Sequence, residues 1–307
     1  VEVIIDYAQS EILKVDSGSY GKLKHVGEIV VGCIEHCEAI SERGGLTGVP
    51  SGFIDLDSLT CGFQPGELIL LAGRPGAGKT AFADCCILNA AEREFGSAFF
   101  SLEMASLQIG NRFLSSDSRI NSLKFRSGKF LPEDWPKIHE SAGKISNLPI
   151  WVDDSPCAKY QDIQKKARFA KKNHSVKSIW IDYLGFLDGE KSEGRVMEVQ
   201  SISRGLKATA KELNIPVILI CQLSRKCEER SNKRPILSDL RDSGALEQDA
   251  DVVGFLYRDE MYNRETQDKG IAELDIAKQR NGPTGTIRLA WREQYTKFES
   301  LAWEYGK

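Results

Sequence analysis

Gly73-Arg74-Pro75-Gly76-Ala77-Gly78-Lys79-Thr80 reads G-x-x-x-x-G-K-T, a spacing with a direct chemical meaning. Glycines let a loop fold so that successive backbone N–H groups converge on phosphate oxygens. A helix opening near Lys79 adds its positive dipole end. In such a cradle the backbone from Gly76, Ala77 and Gly78 to Ala81 surrounds the phosphates. Lys79 reaches the β- and γ-phosphates, and the Thr80 hydroxyl ligates Mg²⁺. The loop grips phosphates and not bases, so it leaves the nucleotide base open. Three further polar residues close apolar runs. Asp182 ends Ile179-Trp180-Ile181-Asp182 and suits a second Mg²⁺ ligand. Glu103, in Ser101-Leu102-Glu103-Met104, is placed either to activate water or to sit as a favourable charge at a helix start. Gln222 follows Val217–Cys221 and is either a γ-phosphate sensor or a plain polar strand end.

These residues need a scaffold that brings strand ends together. The runs Glu67–Gly73, Ser97–Met104, Leu148–Asp154, Ser178–Leu187 and Pro216–Leu223 are apolar nearly throughout. That pattern predicts parallel strands covered by helices on both faces. Helices are expected near 79–95, 105–115, 133–146, 159–173 and 196–213. The tail, roughly 251–304, predicts strands joined by tight turns such as Asn281-Gly282-Pro283, an antiparallel extension on one sheet edge. The charged stretch 225–235 reads as a mobile loop. Leu23, Val26, Val30, Cys33, Cys37 and Ile40 recur at helical spacing, a narrow seam on a helix that Gly44-Gly45 stops. The seam fits packing on its own domain or on a neighbouring subunit equally well.

Composition agrees with a globular protein: 41% hydrophobic and 28% charged residues. A net charge of −3 argues against a broadly basic nucleic-acid coat, though not against a basic pore built from a few loops. No apolar run approaches membrane-spanning length, so no membrane partner is expected. The eight cysteines form no paired framework, which points to a reducing cytoplasm. Cys33, His36 and Cys37 share a helix face but lack a further ligand for a metal. A chain beginning at Val1 rather than Met is expected to be a piece of something longer.

The strings at 45–80 (GLTGVPSGFIDLDSLTCGFQPGELILLAGRPGAGKT), 99–104 (FFSLEM), 179–187 (IWIDYLGFL), 221–251 (CQLSRKCEERSNKRPILSDLRDSGALEQDAD), 255–260 (FLYRDE) and 278–285 (KQRNGPTG) together resemble the C-terminal motor domain of the DnaB family of replicative DNA helicases. The resemblance spans roughly 22–304. It implies an α/β RecA-like fold for 45–307, with 1–44 as a helical linker region whose helix, about 22–43, packs on an adjacent subunit. What precedes that helix resembles the remnant of a connection to an N-terminal helical domain.

The resemblance also implies roles. Glu103 matches the catalytic glutamate, Arg112 a nucleotide-contacting arginine, and Gln222 the γ-phosphate sensor. Lys278 and Arg280, flanking Gln279, match the basic pair that enters the neighbouring subunit's ATP site, where a guanidinium steadies charge on the γ-phosphate. Arg241, Asp242 and Gly244 match a loop that holds single-stranded DNA. There Arg and backbone N–H groups grip phosphates without reading bases. Asp242 stands where Glu is more usual, and Gly185 where Gln is frequent. The implied activity is an ATP- and Mg²⁺-dependent 5′-to-3′ helicase working as a hexameric ring in the cytoplasm of a bacterial or phage-infected cell. A primase and a helicase loader would be partners of the full-length protein. The alternatives are a RecA-like recombination or repair ATPase, which leaves LSDLRDSGALEQDAD and KQRNGP unexplained, and a non-enzymatic loader or scaffold, which leaves the intact catalytic positions unexplained.

Overall fold

The computed structural model describes residues 23, 25–43, 46–155, 159–187 and 195–301. The chain divides into two units, Val1–Gly45 and Leu46–Lys307. In the first, α1 (Val26–Arg43) starts a few residues later than the sequence suggests. Val26, Ile29, Val30 and Ile34 stand about half exposed or more along it. Gly44-Gly45 and the segment before Leu23 lie outside the described residues.

The second unit runs α2 (Ile54–Thr60), β1 (Leu68–Gly73), α3 (Lys79–Ala91), β2 (Ser97–Ser101), α4 (Ser106–Ser118), α5 (Ser122–Ser127), α6 (Asp134–Ile145) and β3 (Ile150–Asp153). It continues with α7 (Tyr160–His174), β4 (Ser178–Asp182), α8 (Arg195–Leu213), β5 (Val217–Gln222), α9 (Gly244–Asp249), β6 (Val252–Tyr257), β7 (Ile271–Gln279), β8 (Gly285–Arg292) and β9 (Lys297–Ser300). One nine-stranded sheet has the order β3-β2-β4-β5-β1-β6-β7-β8-β9. Its strands from β3 to β6 are parallel, and β6 to β9 are antiparallel.

Alternate residues of a strand point to opposite faces, and here both faces are covered. Ile69, Leu71, Phe99, Trp180 and Ile218 pack under α2, α3 and α4. Leu68, Leu70, Phe100, Ile179, Ile181 and Leu219 pack under α7 and α8. That double burial is why these strands read as continuous apolar runs. Trp180, Phe99 and Phe255 are fully buried; truncating any of them costs about 3–5 kcal/mol. Asp251 fixes the starts of β1 and β6 together. Its Oδ2 accepts from Leu68 N (2.8 Å) and from Lys207 Nζ of α8 (2.5 Å).

Two predicted strands end sooner than their apolar runs. β2 stops at Ser101, so Glu103 lies on the turn leading to α4 rather than at the strand's end. β4 stops at Asp182, and Leu184–Phe186 turn as a short 3₁₀ helix. The stretch 225–235 is not open loop throughout: Arg225–Glu229 forms a 3₁₀ turn, and Arg234 makes a two-pronged bond to Glu273.

Candidate active site

The parallel strands set their C-terminal ends side by side. Gly73 pairs with Gln222, and Ser101 pairs with Asp182. Beyond β1 the chain turns through Arg74–Gly78 and enters α3 at Lys79. Gly76 and Gly78 take φ of 81° and 101°, open to glycine at no steric cost. A Cβ on Gly78 would also lie 2.9 Å from the Phe298 ring, and one on Gly73 would lie 2.8 Å from the Leu256 carbonyl. Phe298 of the antiparallel extension and Leu256 of the adjacent parallel strand β6 therefore back the loop. Arg258 braces it too, donating to the Gly76 carbonyl (3.3 Å) while its guanidinium stacks 4.7 Å from the Trp291 ring centre.

The start of α3 has no side-chain cap and no acidic residue in its first turn. Its first N–H groups are thus left for an anion, as a phosphate site requires. Ala77 and Ala81 are buried there. Lys79 Nζ donates to the Arg74 carbonyl (3.2 Å) inside the cradle. Burial lowers its pKa, against the opposing pull of Asp182 and Glu103.

Thr80 Oγ1 donates to Asp182 Oδ2 (2.7 Å). Asp182 is 2% exposed, and burial raises its pKa, with the Thr80 bond opposing. Among the described residues no Lys or Arg pairs with it. A buried carboxylate joined to a hydroxyl is a hard-oxygen pair that fits Mg²⁺. The donor set and the uncapped helix start therefore fit a magnesium nucleotide.

The cleft, about 350 Å³, is lined by Lys79, Thr80, Glu103, Arg112, Asp182 and Gln222. Six residues chosen from sequence, spread over 144 positions, thus converge on one space. Glu103 and Gln222 both expose their side chains to it. Arg112 is not free in the cleft: its Nε lies 2.8 Å from Oδ2 of Asp84, a carboxylate buried in α3. The contact is an ion pair rather than an aligned hydrogen bond. Sequence reasoning missed Asp84, although a lone acid in the apolar helix KTAFADCCILNAA was a visible signal. It also missed Tyr183, Trp291 and Thr296 in the cleft wall. Trp291 and Thr296 come from the far C-terminal strands, and no local pattern announces them.

Lys278, Gln279 and Arg280 are not brought to this cleft. β7 places Gln279 opposite Val252, and Val252 is level with Ile69 of β1. Ile69 lies about 13 Å before Gly73 at roughly 3.3 Å per residue. The basic pair therefore sits at the opposite end of the sheet. There Lys278 Nζ donates to the carbonyls of Glu247 (2.5 Å) and Ala250 (2.8 Å), and Arg280 Nη2 to that of Gln248 (2.5 Å). Burial, then the charge of Arg280, lowers the Lys278 pKa. Arg241 and Asp242 lie in the 3₁₀ turn Leu237–Ser243, and Gly244 opens α9; their side chains lie outside the described residues.

A parallel sheet with a glycine-rich cradle after β1, a carboxylate ending β4 and an amide ending β5 defines a P-loop nucleoside triphosphatase with a RecA-like core. The DnaB-like helicase C-terminal domain family matches residues 48–300. The replicative DNA helicase DnaB of Geobacillus stearothermophilus is 44% identical over 98% of this chain and 67% of that protein. The replicative DNA helicase DnaC of Bacillus subtilis (strain 168) is 42% identical with the same coverage. Among solved structures, one described as an ATPase domain superposes with a TM-score of 0.87 at 40% identity, covering 92% of this chain and 100% of that one. A DnaB-like replicative helicase, described with its interactions with primase, gives 0.84 at 39% identity, covering 97% and 72%. The chain belongs to the DnaB-like helicase C-terminal domain family. It is a replicative helicase motor that hydrolyses ATP. Among the described residues no helix is long and apolar enough to cross a membrane.

Proposed function

We propose that this motor completes each ATP site with residues from two copies of the chain, arranged as a hexameric ring that moves 5′-to-3′ on single-stranded DNA. One observation carries the reading: the cradle and the basic pair Lys278/Arg280 occupy opposite ends of one sheet. Within a single copy the two cannot meet. A head-to-tail neighbour would bring them together, and head-to-tail contacts that close generate rings.

In that arrangement the loop and Lys79 bind the ATP phosphates, and Glu103 orients and accepts a proton from the attacking water. Gln222 reads the γ-phosphate from its place beside Gly73. Thr80 and Asp182 would hold Mg²⁺, whose charge offsets that of the β- and γ-phosphates. Arg112, held by Asp84, contacts the nucleotide from the wall. Lys278 and Arg280 of the next copy supply positive charge where negative charge builds. Arg241, Asp242 and Gly244 contact DNA phosphates. The apolar seam of α1 docks on an adjacent copy. Primase and a loader are the expected partners of the whole protein, in the cytoplasm of a bacterial or phage-infected cell.

Arg280→Ala tests the shared site. It should lower ATP turnover by roughly 10³-fold or more, as for other arginines supplied in trans, while a fluorescent ATP analogue still binds. Strand displacement on a forked duplex should disappear with it. Normal hydrolysis by that variant would remove Arg280 from the site.

A further inference from the structure

Between the two half-sites runs the segment from Leu223 to Ala250, which contains the 3₁₀ turn Leu237–Ser243 and α9. Side chains hold it at both ends. At its start, Arg74 of the cradle donates from Nη1 to the Leu223 carbonyl (2.7 Å) and from Nε to Oε1 of Glu228 (2.7 Å). Arg74 is 8% exposed, and its own carbonyl receives the Lys79 bond. One residue thus touches both the phosphate-binding lysine and the segment. Pro75 follows it, which restricts the Arg74 backbone to extended conformations and leaves it little freedom to absorb a displacement. The Arg74 bond also holds the Glu228 carboxyl below its ordinary range.

Two residues on, Arg230 grips both oxygens of Asp239 (2.6 and 2.7 Å) and the Arg234 carbonyl (2.9 Å). Asp239 also accepts from Ile236 N (2.9 Å). These bonds close 230–239 into a braced loop whose continuation is Arg241–Gly244. At the far end, the α9 carbonyls are held by Lys278 and Arg280.

We infer that Glu228 is a positioning residue: through Arg74 it ties the braced loop before Arg241 to the phosphate cradle, and so couples nucleotide binding to DNA binding. The inference rests on the proposed DNA-contacting role of Arg241. Glu228 itself is 37% exposed at its side chain and outside both clusters of the core. A merely structural role predicts instead a lower Tm with the same fall in ATP turnover with and without DNA.

The test uses the full chain with Glu228→Ala, Glu228→Gln and Arg241→Ala. ATP hydrolysis is measured with and without a poly-dT oligonucleotide, alongside thermal melting and oligonucleotide affinity. Glu228→Ala should keep the DNA-free rate and Tm but lose roughly 2- to 30-fold of the DNA stimulation, the range for mutations along a coupling route. Glu228→Gln keeps an acceptor for Arg74 Nε and should fall between it and the parent chain. Unchanged stimulation in Glu228→Ala would overturn the inference, as would an equal fall in both rates accompanied by a lower Tm. Absence of stimulation in the parent chain, or unaltered oligonucleotide affinity in Arg241→Ala, would instead overturn the DNA-contact reading beneath it.

Discussion

Asp84 carries the least expected charge beside the cleft, behind Arg112. It stands in the middle of an otherwise apolar helix, 2% exposed, and Arg112 is its ion-pair partner. Burial pushes its carboxyl up to about 6, with Arg112 pulling the other way. The folded value lies above the ordinary 3.8, so the folded chain holds this proton more tightly than the unfolded chain does. The associated stability is present below about pH 4 and is lost as pH rises through about 6. Asp84→Asn has no proton to release. The unfolding free energy of the parent chain relative to Asp84→Asn should therefore fall by about 2 kcal/mol between about pH 4 and about pH 7. Denaturant titrations of both chains across that range check this, and a difference independent of pH contradicts it. Asp84 keeps Arg112 against the cleft wall, its Oδ2 2.8 Å from the arginine Nε.

At the scale of elements, the cradle was legible because its chemistry is local: glycine, lysine and threonine at fixed spacing admit few other structures. The strands were legible for a different reason, since burial on both faces leaves an unbroken apolar run. Their ends were less so. Leu102 and Leu184 prolong the apolar pattern past the last residues of β2 and β4, because loops at the cleft also bury apolar side chains. Helices α2 and α5 escaped notice because seven and six residues are too few to show a period. α2 is instead fixed by Asp57, which accepts from Ser51 N, Ser51 Oγ and Gly52 N (2.8, 2.7 and 3.1 Å). The wall residues Trp291 and Thr296 depend on the long-range docking of β8 and β9, which no local pattern encodes. That docking makes Gly78 doubly constrained, by its φ of 101° and by the Phe298 ring. Gly78→Ala should weaken ATP binding by roughly 10-fold or more, since strain at such a site is of order 1–3 kcal/mol. Isothermal titration with magnesium ATP would show it, and an affinity equal to the parent chain's would contradict the packing account.

The whole molecule is organised by the distance between its two sets of charged residues. The cleft gathers Lys79, Glu103, Asp182 and Gln222 at one end of the sheet, while Lys278 and Arg280 cap α9 at the other. The apolar runs already set Asp182 and Gln222 at strand ends in the sequence, whereas no periodicity assigned Lys278 and Arg280 to an end. The resemblance at KQRNGP supplied the role, and the β6–β7 register supplied the separation. In the isolated chain the two cations bond to their own backbone carbonyls. In a ring they would turn to the next copy's triphosphate. Mixing two inactive variants tests this most directly. Glu103→Gln lacks the carboxylate for water, and Arg280→Ala lacks the trans guanidinium, so each alone should be nearly inactive. Random co-assembly gives about a quarter of the interfaces an intact Glu103 facing an intact Arg280. The account predicts that ATP hydrolysis reappears on mixing, toward about that fraction of the parent rate. A mixture as inactive as its components, in particles shown to contain both variants, would contradict a site shared between copies.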